Sequence, residues 1–116
     1  MHPEDIDVLI SDLISNNFLN EERFAAAFVS GKFRIKKWGR IKIRQHLKQK
    51  RISDYSVNKA LQQIADEEYL DTLNTLAQSK SKQINAKNDW DRKAKLVRYL
   101  SSKGYESQLI YEVLGD

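Results

Sequence analysis

Cysteine is absent from this chain, which excludes disulfides and thiolate-ligated metals. Its two histidines, His2 and His46, are too few and too isolated to build a histidine-rich metal site. A single proline (Pro3) and four glycines (Gly31, Gly39, Gly104 and Gly115) leave little turn-forming material, which disfavours an all-β chain and favours helices. No apolar run approaches a membrane span and no secretory pattern opens the sequence, so a cytoplasmic protein is expected. Gly-rich phosphate loops, the G-x-S-x-G elbow and metal-ligand spacings are also missing. Nothing in the sequence points to an enzyme or to a cofactor.

What is present is charge, laid down in stripes. Residues 32–51 hold ten of the twenty Lys and Arg side chains and no acid: Lys32, Arg34, Lys36, Lys37, Arg40, Lys42, Arg44, Lys48, Lys50 and Arg51. A second basic window, 80–103, carries eight more against Asp89 and Asp91. By blocks the chain reads −5 over 1–31, +10 over 32–51, −4 over 52–79, +6 over 80–103 and −3 over 104–116. The net charge of +4 hides this alternation. Such a field draws polyanions to one surface and leaves acidic surface for a different partner. At 116 residues, 41% hydrophobic and 31% charged, the chain is one domain long and has no bulky single core.

Apolar residues recur at helical spacing nearly throughout. Ile6, Leu9, Ile10, Leu13 and Ile14 mark a first helix, with Pro3, Glu4 and Asp5 suited to its first turn. Asn20 is the expected N-cap of a second, burying Phe24, Ala27 and Phe28 and ending near Gly31. A third starts near Trp38 or Gly39 and turns Ile43 and Leu47 inward; Ser53 caps a fourth bearing Val57, Leu61 and Ile64. Asp71 is expected to cap a helix with Leu73 and Leu76, Asn88 or Asp89 one with Leu96, Val97 and Leu100, and a last carries Leu109, Ile110, Val113 and Leu114. The prediction is all-α, with about seven short helices.

The pattern repeats. A shift of 53 places Lys42 on Lys95, Ile43 on Leu96, Leu47 on Leu100, Lys50 on Lys103, Ile52 on Tyr105, Val57 on Ile110 and Leu61 on Leu114. Upstream, Phe18-Leu19-Asn20 matches Tyr69-Leu70-Asp71 at a shift of 51. A three-helix unit buries little alone and gains by stacking, so tandem three-helix repeats in an elongated, curved molecule are expected. The expected division is the last helix of a partial first repeat at 4–17, then repeats at 18–67 and 69–114.

These segments resemble a known family. Phe18-Leu19-Asn20-Glu21-Glu22-Arg23-Phe24-Ala25-Ala26-Ala27-Phe28-Val29 looks like the YLDDxRFAxxFV entrance of RecX-type recombinase regulators. The run from Trp38-Gly39-Arg40 through Ile41-Lys42-Ile43-Arg44-Gln45-His46-Leu47 to Lys50-Arg51-Ile52-Ser53 is similar to that family's YGxxRIRxELxxKGIS helix and turn. Lys95-Leu96-Val97-Arg98-Tyr99-Leu100, Lys103-Gly104-Tyr105 and Ile110 to Leu114 resemble its last repeat. The chain departs from the pattern at Arg51, where the family usually has Gly, so the turn there is not expected to use a left-handed residue. Arg40 replaces a common Pro, and of the family's three repeats the first is represented only by its final helix.

The resemblance implies a regulator that binds the RecA recombinase–DNA filament, lies in its groove and mainly inhibits growth, ATPase and recombination in DNA repair and the SOS response. It implies two partners, the RecA filament and single- or double-stranded DNA read without sequence preference, with no membrane and a monomeric chain. The residues expected at that face are Lys36, Lys37, Arg40, Lys42, Arg44, Lys48 and Arg51, with Lys93, Lys95 and Arg98 as a second patch. Glu21, Glu22, Asp66, Glu67 and Glu68 are candidates to meet basic recombinase surface. If the face neutralised ~5 duplex phosphates, the log–log salt slope of binding would be roughly −4.5.

Plainer readings compete with each of these. A charge run is ordinarily a solvated face, but a merely soluble face mixes signs and 32–51 does not. Trp38 could stack on a base, yet packing at the start of the third helix suits it better, as it does Trp90 and Tyr99. Phe24, Phe28, Leu47, Leu61, Leu100 and Leu114 read as core. His46 reads as an exposed polar residue, and Asp66, Glu67 and Glu68 as a solvated acidic turn. Two other functions stay open. One is a free-standing helix-turn-helix nucleic-acid-binding module reading bases through Asn58, Lys59, Gln62 and Gln63. The other is a scaffold for an acidic protein partner.

Overall fold

The computed structural model describes the backbone of residues 3–115 and the side chains of residues 19–115. Six helices and no strand occupy the described residues: α1 (Pro3–Arg34), α2 (Arg40–Gln49), α3 (Asp54–Leu61), α4 (Asp66–Gln83), α5 (Asp89–Ser102) and α6 (Ser107–Leu114). The expected first and second helices are one continuous helix, and Asn20 lies inside it rather than at its cap. Asparagine in a helix interior costs no more than about 0.7 kcal/mol, too little to break a helix that has no interior glycine or proline before Gly31. Gly31 does not end α1 either. Lys37 does, by turning left-handed at φ 62°.

The buried stripe of α1 is Ala25, Val29 and Phe33, at strict i+4 spacing, one position on from the expected set. Phe24 is 44% exposed, Ala27 is exposed and Phe28 is half-buried. The stripe faces α3, which contributes Val57, Ala60 and Leu61, and small Ala25 and Ala60 suit a close helix pair. The apolar position of Ile6 to Ile14 cannot be followed further, because those side chains lie outside the described residues.

Ser53 and Asn88 cap α3 and α5 as expected, each accepting a backbone N–H three residues on, from Ser56 and Asp91. Asp71 does not cap α4, which begins five residues earlier. The acidic turn Asp66-Glu67-Glu68 forms its first turn, where carboxylates complement the positive end of the helix dipole. Both α2 and α5 end in the same motif. Ile52 N–H donates to Leu47 O (3.1 Å) and Arg51 N–H to Lys48 O (2.9 Å); Tyr105 N–H donates to Leu100 O (3.2 Å) and Gly104 N–H to Ser101 O (3.0 Å). Arg51 therefore does take the left-handed conformation (φ 63°), contrary to expectation, in the role that Gly104 (φ 100°) fills in the second half.

Two three-helix units result. The C-terminal part of α1 packs with α2 and α3, and α4 packs with α5 and α6. Residues paired by the repeat occupy matching core positions: Leu47 and Leu100, and Val57 and Ile110, are fully buried, as are Ile43 and, nearly, Leu96. One apolar cluster runs through both units. The molecule measures 74 × 23 × 21 Å with a radius of gyration of 19.6 Å, against about 13 Å for a compact chain of this length.

Candidate functional site

The two units meet where glycine allows backbone to touch backbone. Gly39 N–H donates to Lys103 O (2.7 Å) and Ile41 N–H to Gly104 O (3.0 Å). A Cβ on Gly39 would lie 2.3 Å from the Gly104 carbonyl carbon, and one on Gly104 2.4 Å from Lys42 Cβ. Neither position has room for a side chain. Around this contact, Tyr105 Oη donates to Lys37 O (2.9 Å), while Tyr69 Oη accepts from Arg40 N–H (2.9 Å) and donates to the Glu106 carboxylate. The Arg40 guanidinium lies 3.8 Å over the Tyr69 ring and pairs with Asp66 (2.9 Å) and Glu106 (3.1 Å). Phe33 stacks on Tyr69 across the junction, with ring centroids 5.8 Å apart. Burial, then the bond to Glu106, pushes the Tyr69 phenol well above the usual tyrosine range; burial does the same for Tyr105.

The cations divide sharply. Several are committed within the molecule: Arg34 to Glu68 (3.2 Å), Lys48 to Asp54, Lys59 to Glu22 (3.2 Å) and Lys95 to Asp91 (3.2 Å). Hydrogen bonding and charge from Lys48 hold the Asp54 carboxyl below the usual range. Arg44 donates to Asn58 Oδ1 (2.7 Å). A second group gathers around Trp38 and Phe28, beside the unit junction, without a carboxylate partner among the described residues. Lys32 and Lys42 place their ammonium groups 4.7 and 4.5 Å from the Trp38 ring, and Lys50 lies 5.8 Å from Phe28. Lys103 donates to Lys36 O at 2.8 Å. Partial burial, then the charges of Lys42 and Lys36, lower the Lys103 pKa. His46 completes the group with its ring 4.6 Å from Trp38.

Residues 20–61 match the family model for the second three-helix domain of RecX, and residues 66–114 the model for the third. The chain belongs to the RecX family. Relatives named Regulatory protein RecX include those of Clostridium tetani (34% identical over 112 residues, 94% of this chain and 50% of the relative) and Vibrio campbellii (33% over 101 residues, 87% and 63%). That of Lactobacillus johnsonii is 28% identical over 107 residues, 92% of this chain and 40% of the relative. The chain spans about half the length of the curated relatives it matches. The crystal structure of regulatory protein RecX superposes with a TM-score of 0.77 at 22% identity, over 100% of this chain and 58% of that one, which is a likeness of fold.

Within this RecX fold the residues singled out from sequence take different positions. Lys36 and Lys42 join the junction cluster. Arg40 holds the units together. Arg44 and Lys48 lie exposed on α2 with partners on α3, and Arg51 is exposed in the turn between them. Lys37 is exposed, its ammonium on Arg34 O (2.8 Å). In the second unit Lys95 donates to Asn85 O (2.7 Å), Arg98 is exposed, and Lys93 lies 5.8 Å from the Tyr111 ring. Lys32, Lys50 and Lys103 belong to the cluster but are not among the residues singled out from sequence. Pairing Lys50 with Lys103 in the repeat was the available signal, but only the fold shows Lys103 crossing to Lys36. His46 is half-buried against Trp38 rather than exposed. Among the described residues no group of three or more His, Asp or Glu could hold a metal, and no helix is long and apolar enough to cross a membrane.

Proposed function

We propose that this chain acts on the RecA recombinase: it binds the RecA–DNA filament and mainly inhibits its growth, ATPase and recombination activity in DNA repair. It does so in the cytoplasm as a monomer. The observation that carries the reading is the junction cluster of Lys32, Lys36, Lys42, Lys50 and Lys103, which has no carboxylate partner among the described residues. Lysines held in this way present fixed positive charge to phosphates or to an acidic filament surface. An elongated 74 Å body can follow a groove across more than one protomer. Lys37, Arg44, Lys48 and Arg51 extend the face along α2, and Lys93, Lys95 and Arg98 supply a second patch. Arg40 contributes by fixing the junction that positions both.

The helix-turn-helix alternative is the weaker one. Of its four base-reading candidates, on α3 and just past its end, Asn58 accepts from Arg44, Lys59 pairs with Glu22, and Gln63 donates to Ala26 O (2.8 Å). Only Gln62 stays uncommitted. The test is RecA-catalysed ATP hydrolysis on single-stranded DNA titrated with this protein. The expected result is a dose-dependent fall; unchanged hydrolysis at saturating protein would overturn the proposal.

A further inference from the structure

The junction cluster draws on both units. Lys36 and Lys42 belong to the first, Lys103 to the second, and the Lys103 ammonium reaches across to the Lys36 carbonyl at 2.8 Å. The Lys42 backbone lies directly against Gly104, the next residue to Lys103, because neither glycine at this contact carries a side chain. The Lys103 ammonium thus lies at the seam, on the Lys36 carbonyl and one residue from the Gly104–Lys42 contact; partial burial, then the charges of Lys42 and Lys36, lower its pKa. No carboxylate among the described residues offsets them, so in the free protein they oppose closure of the seam. An anion seated among them reverses the sign of that contribution.

Trp38 narrows the kind of anion. Its ring is half-buried, with two ammonium groups over it and His46 and Phe28 at 4.6 and 6.4 Å. With two ammonium groups and two rings already packed against it, the indole serves to position the lysines by cation–π contact, and the ligand is met through its phosphates. Each ammonium is a compact donor able to take a separate phosphate oxygen.

We infer that Lys36, Lys42 and Lys103 form one site for a nucleic-acid backbone phosphate that bridges the two three-helix units, so that occupancy holds the units in their contact and restrains their relative motion. This rests on the polyanion-binding reading above and adds that binding and inter-unit geometry are coupled. The absence of cysteine makes the coupling measurable: Gln45→Cys and Gln108→Cys, both exposed, put one spin label on each unit of the full chain. Adding (dT)10 is expected to narrow the label–label distance distribution. Lys103→Gln and Lys42→Gln should each abolish the narrowing and lower the salt slope of (dT)10 binding by about 0.7. Lys103→Arg should restore the narrowing, and Lys82→Gln, exposed in the last turn of α4, should behave as wild type. Binding of (dT)10 without narrowing in the wild type would overturn the bridge while leaving the polyanion reading intact, as would narrowing that persists in folded Lys103→Gln. Inhibition of RecA with no affinity for (dT)10 would overturn it too, and would assign the cluster to an acidic protein surface.

Discussion

Arg51 and Glu21 show how single residues set the terms of each unit. Arg51 sits left-handed at φ 63°, where Gly104 stands in the second unit. A side chain there costs roughly 1–2 kcal/mol, offset in part by the extra chain entropy of an unfolded glycine. Arg51→Gly is expected to raise the unfolding free energy by about 1 kcal/mol, read as a higher denaturant midpoint at unchanged slope. The sequence showed Arg in a glycine position but not that the turn would keep its geometry, because the motif's hydrogen bonds and the burial of Leu47 prevail over the local penalty. Glu21 accepts from Ser53 N–H (3.2 Å), Ser53 Oγ (2.9 Å) and Ser56 Oγ (2.8 Å), tying α1 to the start of α3. The bond from Ser56, then that from Ser53, holds its carboxyl below the usual range. A lowered folded-state pKa means stability that is present above the ordinary glutamate value and lost as pH falls through the lowered one. Glu21→Gln should therefore cost about 1–2 kcal/mol at neutral pH. Guanidinium midpoints of the two proteins should converge as the solution is acidified below pH ~4.

At the scale of elements, helical periodicity made the all-α class and the repeat legible, and turn chemistry at Ser53 and Asn88 marked two boundaries correctly. It failed along α1. Phe24 and Ala27 satisfy a helical stripe as well as Ala25 and Val29 do, and only the position of α3 decides which stripe is buried. Asp71 misled for a related reason: an acid before a leucine reads as a cap, whereas the acids at 66–68 already begin the helix. The Gly39–Gly104 contact was invisible in sequence, since it joins residues of different units through backbone alone. Gly39→Ala forces a Cβ to within 2.3–2.5 Å of backbone atoms that have no rotamer to yield. The expected cost is about 1–3 kcal/mol, the range of an overpacked core. Amide exchange should show faster exchange of Ile41, whose N–H bonds Gly104 O, while Leu73 and Leu47 amides inside the units stay protected.

For the molecule as a whole, the striped charge pattern becomes spatial only when the units stack. Two basic windows far apart in sequence converge at Lys36, Lys42 and Lys103, while Arg40, Lys48 and Lys95, which look alike in the sequence, are drawn into internal pairs. The concentration of positive charge was legible from residues 32–51, because twenty residues without an acid leave their cations few local partners. Which cations remain outward was not, because Asp54, Asp66 and Glu106 reach them only through the fold. The most direct test compares wild type with a Lys36→Gln, Lys42→Gln, Lys103→Gln triple variant, shown helical by circular dichroism, in RecA ATP hydrolysis on single-stranded DNA. Removing three charges from the seam is expected to raise the concentration needed for half-inhibition at least about tenfold, which is about 1.4 kcal/mol of lost binding. A folded triple variant that inhibits at the same concentration as wild type would contradict the account.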